Sequence, residues 1–170
     1  FDKALSVNNS DPDLWLGKAQ ALDVAGDQAG AREIAEALAN QAPHWSEGLR
    51  FLAQLRLDQG EENFASHYKD AAVKVPQDPN IPAEWISVLA GLGYAEDAAR
   101  IAGEACGKFP AIEHFALLEA VNAGTAGDDD RAQAIFASLS VNTTDRHIHE
   151  ARHRIRRGEF DEANSLLEKV

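Results

Sequence analysis

Methionine is absent from these 170 residues, and cysteine occurs once, at Cys106. A single cysteine rules out an intrachain disulfide and any cysteine-rich zinc site. Cys106 is expected to act as a small buried apolar residue, and its solitude fits a reducing compartment. Long apolar runs are also missing. No stretch approaches the roughly 18 residues that a membrane span requires. No N-terminal segment pairs a basic start with an apolar run, so nothing reads as a signal peptide, and a cytoplasmic location is expected. Basic charge is scarce: 16 Lys and Arg face 28 Asp and Glu, for a net charge of −12. That speaks against nucleic acid and anionic membranes as partners, since phosphate binding needs a basic surface. The β-branched residues are scattered and do not alternate, so nothing reads as a strand. No Ser/His/Asp order, phosphate-binding loop or cofactor fingerprint occurs, and neither catalytic residues nor a cofactor are expected.

What is present is an ordinary apolar fraction of 45%, enough for a real core. The charge is uneven. Arg146, Arg152, Arg154, Arg156, Arg157 and Lys169 balance Asp145, Glu150, Glu159, Asp161, Glu162 and Glu168, so residues 1–140 carry the whole −12. An acidic body with one locally basic helix favours basic partners at the acidic end, or self-association.

A repeat runs through the chain. The segments AGDQAGAREIAEAL, QGEENFASHYKDAA, LGYAEDAARIAGEA, AGDDDRAQAIFASL and RGEFDEANSLLEKV share a glycine followed five residues later by an alanine. The glycines are Gly26, Gly60, Gly93, Gly127 and Gly158, spaced 34, 33, 34 and 31 residues apart. The alanines are Ala31, Ala65, Ala98, Ala132 and Ala163. Seven residues before each glycine lies a second small slot: Ala19, Ala53, Ile86, Ala120 and Ala151, with Ile86 the one departure. Units close near Pro43, Pro76, Pro110 and the NTTD turn at 142–145. Between these landmarks apolar residues recur at helical spacing, as in Trp15, Ala19, Leu22 and then Ile34, Ala35, Leu38. The glycine supplies a turn that needs positive φ or close approach. The alanines let two helices of a hairpin meet closely, and proline ends the second helix. The pattern predicts helices at about 13–25, 29–41, 46–59, 61–74, 82–92, 95–108, 113–124, 129–140, 145–157 and 160–170.

A period of about 34 residues with these slots resembles the tetratricopeptide repeat (TPR) family. The unit LWLGKAQALDVAGDQAGAREIAEALANQAP carries the likeness best, with Trp15, Ala19, Leu22, Gly26, Ala31 and Pro43 in family positions. The resemblance implies an all-α fold, an α-solenoid of about five antiparallel helix hairpins in a right-handed superhelix. The repeats span roughly 12–45, 46–78, 79–112, 113–143 and 144–170 of a single domain, with 1–11 as the tail of a preceding repeat. Both ends cut through a helix, so a fragment of a longer chain is expected. Its cut ends would expose apolar helix faces through which the fragment could self-associate. The resemblance further implies a concave groove, lined by first helices, that binds a peptide or partner protein. Carried over by position, the groove holds Asp13, Leu16, Gln20 and Asp23; Glu47, Arg50, Gln54 and Asp58; Ala83 and Ser87; Leu117 and Val121; and Ile148, Arg152 and Arg156. The Lys and Asn with which some family members grip a chaperone's C-terminal carboxylate are not at these positions.

Other readings attach to particular residues. His149-Glu150-Ala151-Arg152-His153 is a literal H-E-x-x-H, the spacing of zinc hydrolases. Ala151 is also the small slot of the fifth hairpin, which already explains the helix. A solvated basic and polar face is expected there, with His149 and His153 as candidates for adventitious metal. Asp128, Asp129 and Asp130 read as an acidic helix start. Asn8-Asn9-Ser10 and Asn142-Thr143-Thr144 match the glycosylation sequon but read as helix-start turns with Ser or Thr caps. Trp15 is expected between helices, and Trp45 partly exposed as a contact. Two alternatives to a free-standing binding scaffold remain: an accessory array beside a sulfotransferase-like or 2-oxoglutarate/Fe(II) oxygenase-like domain outside these residues, and a zinc hydrolase using the HEARH segment.

Overall fold

In the computed structural model, residues 10–61, 63–140 and 143–170 are described. Among them are ten helices. These are α1 (Pro12–Val24), α2 (Gln28–Gln41), α3 (Ser46–Asp58), α4 (Phe64–Lys74), α5 (Asn80–Gly91), α6 (Ala95–Lys108), α7 (His114–Ala126), α8 (Asp129–Ser138), α9 (Thr144–Arg156) and α10 (Phe160–Leu167). The sequence places every one. The largest shifts are at α10, which ends at Leu167 instead of 170, and at α4, which starts at Phe64 instead of 61, where Asn63 to Ser66 is a tight turn closed by Ser66 N–H to the Asn63 carbonyl. The predicted tail at 1–9, including Asn8 and Asn9, and Asn142 lie outside the described residues.

Each hairpin turns on its glycine. Gly26, Gly60, Gly93, Gly127 and Gly158 all have φ between 77° and 92°, and no other described residue has positive φ. The following N–H reaches back five residues: Asp27 to Leu22 O, Glu61 to Arg56 O, Tyr94 to Leu89 O, Asp128 to Ala123 O and Glu159 to Arg154 O. This closes the exposed carbonyls of the first helix, the arrangement that a left-handed glycine permits without a Cβ clash. Two of the second helices, α2 and α8, start on acidic caps. Asp27 accepts from Gly30 N–H, and Asp128 accepts from Arg131 N–H with Asp129 and Asp130 in the first turn. Thr143 caps α9 by accepting from Arg146 N–H.

The small slots are where the helices meet. Ala19, Ala53, Ala120 and Ala151 are at most 1% exposed, as are Ala31, Ala98, Ala132 and Ala163. Ala65 departs, being half-buried. Ile86 fills its slot at 0% exposure, so the third hairpin buries a larger side chain at the same place.

The chain forms two compact units, one ending at Ile81 and one beginning at Pro82. In the first, Ala31, Ala35 and Ala39 of α2 pack on Leu49, Leu52 and Leu55 of α3, with Ala71 and Ile81. Trp45 is half-buried, its ring lying over Gly48 so closely that a Cβ there would sit 2.7 Å away. In the second unit, Ala99, Leu117, Ala120 and Ala123 pack on Ala132, Phe136 and Leu139. The fourth hairpin ends without proline. Arg146 of α9 does that work instead, donating to the carbonyls of Phe136 (2.9 Å) and Leu139 (2.8 Å) at the end of α8.

Candidate functional site

The first helices α1, α3, α5, α7 and α9 turn their small slots inward, so the opposite faces carry the candidate binding residues. On α1, Asp13 and Gln20 are exposed and Asp23 is half-buried. On α3, Glu47 is exposed and Arg50 half-buried. Gln54 and Asp58 are tied to each other, Gln54 Nε2 donating to Asp58 at 2.8 Å, while the buried Tyr68 hydroxyl reaches Gln54 at 3.4 Å. On α5, Ser87 is exposed. On α7, Val121 is half-buried, but Leu117 belongs to the core at 8% exposure. Leu117 and Leu139 floor a cavity of about 190 Å³ rimmed by Glu113, His114, Thr143, Asp145 and Arg146. On α9, Ile148 is half-buried and Arg152 and Arg156 are exposed.

The HEARH segment departs from the expected solvated face. Glu150 is buried, with Arg146 at 3.6 Å and Arg154 at 3.8 Å on either side. Arg154 also donates to Glu159 at 2.6 Å, and Arg157 to the same carboxylate at 2.7 Å. His153 is 1% exposed, its ring 5.7 Å from that of Phe136 and its Nδ1 3.6 Å from Asp129. Neither ring nitrogen has a hydrogen-bond partner. Burial holds its pKa below the ordinary histidine value, with Asp129 pulling the other way. His149 is half-buried, and burial and then Arg152 lower its pKa. The physical reason is the stacking of α9 on α7, which removes one side of α9 from water. Gly124 makes room for it: a Cβ there would lie 2.7 Å from His153 Nδ1 and 2.9 Å from Arg156 Nη2. Among the described residues, no group of three His, Cys, Asp or Glu side chains is placed to hold a metal ion. The Glu150 carboxylate is engaged by arginines and does not stand beside the two imidazoles as a base for metal-bound water.

A second polar network sits on the second-helix side of the first unit. Glu36 accepts from Arg32 (2.9 Å) and Arg56 (3.1 Å), and Arg32 also pairs with Glu61 at 2.7 Å. Arg56 reaches His67 Nδ1 at 2.8 Å, and His67 Nε2 lies 3.2 Å from Glu61. A proton on Nε2 satisfies both histidine contacts. Hydrogen bonds from Arg32 and then Arg56 hold the Glu36 carboxyl below its ordinary pKa. Glu36, Arg56 and His67 line a cavity of about 280 Å³ together with Leu49, Leu52 and Ala53. Cys106 is half-buried, and burial and then the Glu119 carboxylate push its thiol pKa up to about 11, so it carries no thiolate at neutral pH.

No family model matches this chain, and no curated protein does. Solved structures do. MamA from Desulfovibrio magneticus RS-1 superimposes with a TM-score of 0.68 at 13% identity, over 93% of this chain and 92% of that one. YrrB, described as a TPR protein with an unusual peptide-binding site, gives 0.63 at 13% identity over 99% and 89%. A TPR protein from Parabacteroides merdae ATCC 43184 gives 0.61 at 15% identity over 99% and 67%. The chain thus has the TPR fold, an all-α solenoid of helix hairpins. No helix among the described residues is long and apolar enough to cross a membrane.

Proposed function

We propose that the chain is a non-catalytic interaction scaffold that binds a peptide or partner protein on its first-helix faces. One observation carries this. The first helices spend their small residues on hairpin packing and leave Asp13 and Gln20, Glu47, Ser87, and Arg152 and Arg156 exposed on the other side. Helical repeats bury apolar surface mainly against their neighbours, so such faces are free to bind. YrrB, with the same fold, has a peptide-binding site, which supports the reading.

The test compares surfaces. Affinity capture from the source lysate, with mass spectrometry, would use the wild type, a first-helix variant (Asp13→Lys/Glu47→Lys with Arg152→Glu) and a second-helix control (Lys69→Glu/Glu96→Lys). Lys69 and Glu96 are exposed on α4 and α6. A specific partner lost by the first variant and kept by the control is the expected result. Partners indifferent to every first-helix change would overturn the reading.

A further inference from the structure

Among the described residues, most arginines have an acidic partner within 4.0 Å. Arg32, Arg56, Arg100, Arg131, Arg146, Arg154 and Arg157 are held by Glu36, Glu61, Asp97, Glu104, Glu119, Glu150 and Glu159. Arg152 and Arg156 have none, although acids outnumber bases by 28 to 16. Both are exposed on α9. They stand four apart on one helix face, where like charges oppose helix formation by a few tenths of a kcal/mol. Glu159, the first acid after α9 in the chain, is taken by Arg154 and Arg157. Gly124 lets Arg156 lie against α7 at the α7–α9 seam, and Arg152 stands one turn before it on the same face of α9. At the other end of that seam is the cavity floored by Leu117 and Leu139.

We infer that the α7–α9 face of the second unit binds an acidic peptide segment, with carboxylates on Arg152 and Arg156 and an aliphatic side chain in the Leu117/Leu139 cavity. The inference rests on the scaffold reading and names the partner's chemistry. Guanidinium pairs carboxylate bidentately, which gives geometric specificity as well as charge. The helix rise sets the spacing. From the cavity rim at Asp145 and Arg146, Arg152 is about 10 Å along α9 and Arg156 about 16 Å. An extended peptide covers those distances in about three and five residues. Asp145 on the cavity rim repels a carboxylate at the aliphatic position, so the segment has a direction: an apolar residue at one end, acids at the other. Long polyanions such as nucleic acid meet the −12 net charge of the whole chain and are disfavoured.

A random-peptide display selection on the purified protein at about 0.15 M salt, where the Debye length is about 8 Å, tests this directly. Enriched peptides should carry Asp or Glu about three and five residues from an aliphatic side chain. Titrated into 15N-labelled protein, they should shift the α7 and α9 amides and the Arg152 and Arg156 side-chain Nε–H signals. Arg152→Glu/Arg156→Glu should weaken them by 10-fold or more, and Arg152→Gln/Arg156→Gln by less. Enriched peptides that are basic or neutral, or whose affinity survives the double Glu variant, would overturn the inference while leaving the scaffold reading intact. No enrichment on any face would count against both. Circular dichroism of the variants separates lost binding from lost folding.

Discussion

The chain holds two clusters of arginine, and they end differently. In the first unit Arg32, Arg56, Glu36, Glu61 and His67 close on one another, so each positive group already faces a negative or accepting one. On α9 the arginines divide. Arg146, Arg154 and Arg157 turn to Glu150 and Glu159, while Arg152 and Arg156 face water without an acid. The residue type is the same throughout. The side of the helix decides whether a guanidinium holds the fold together or is left for something outside it.

That contrast is sharpest at Glu150. Glu150→Ala would remove the acid that Arg146 and Arg154 share, leaving Arg146 to the Phe136 and Leu139 carbonyls and Arg154 to Glu159, at a cost of about 2 kcal/mol. Urea unfolding measures it, and a loss below about 1 kcal/mol would mean that those other partners already satisfy the two arginines. Gly124→Ala comes next. Its Cβ meets the buried His153 ring, which has nowhere to go, so a loss of about 1–2 kcal/mol is expected despite alanine's better helix propensity. Unchanged stability would show that α9 can slide on α7.

His153 gives a pH test. Its folded pKa lies below the ordinary 6.5, so the stability tied to its neutral form is present above that value and is lost as pH falls through the depressed one. Unfolding midpoints at pH 7.5 and 5.0 should fall apart less in His153→Phe than in the wild type, with the remaining slope owed to His149. An equal slope in both proteins would remove His153 from the account. Glu36 works at lower pH. Its folded pKa is below about 4.5, so its contribution is present above that value and lost on acidification. Glu36 is half-exposed, and Glu36→Gln should therefore cost only about 0.5–1 kcal/mol at pH 7. The gap from wild type should close by pH 3. The smallest effect belongs to Arg152→Gln/Arg156→Gln. Removing a like-charge pair should leave stability within about 0.5 kcal/mol, or raise it slightly. A large loss would mean these arginines are structural after all.

Much of this was readable in the chain. The glycines announced the turns, and all five have the left-handed backbone that their spacing requires. The small slots announced the helix contacts, and Ala19, Ala53, Ala120 and Ala151 are buried as expected. Other features were not readable. Leu117, expected on the groove face, packs with Ala120, Phe136 and Leu139 and floors a cavity, a placement that depends on the register of α7 against α8 and is not visible from one helix. Trp45 is partly exposed, but that its ring covers Gly48 was not visible. Glu150 and His153 looked solvated and are buried, since polarity along a helix does not say which neighbour will cover it.

The sequence by itself determined the hairpins. Helix periodicity, a left-handed glycine and small contact residues are local properties, and local sterics suffice to fix them. Pairs such as Arg32–Glu36 and Arg100–Glu104 follow from helical spacing, but only the tertiary structure decided the long-range partners of the charges. A guanidinium chooses its carboxylate by position in space, over separations such as the 29 residues between Arg32 and Glu61. Coulomb attraction and burial act through that space, and the linear order of residues does not contain it.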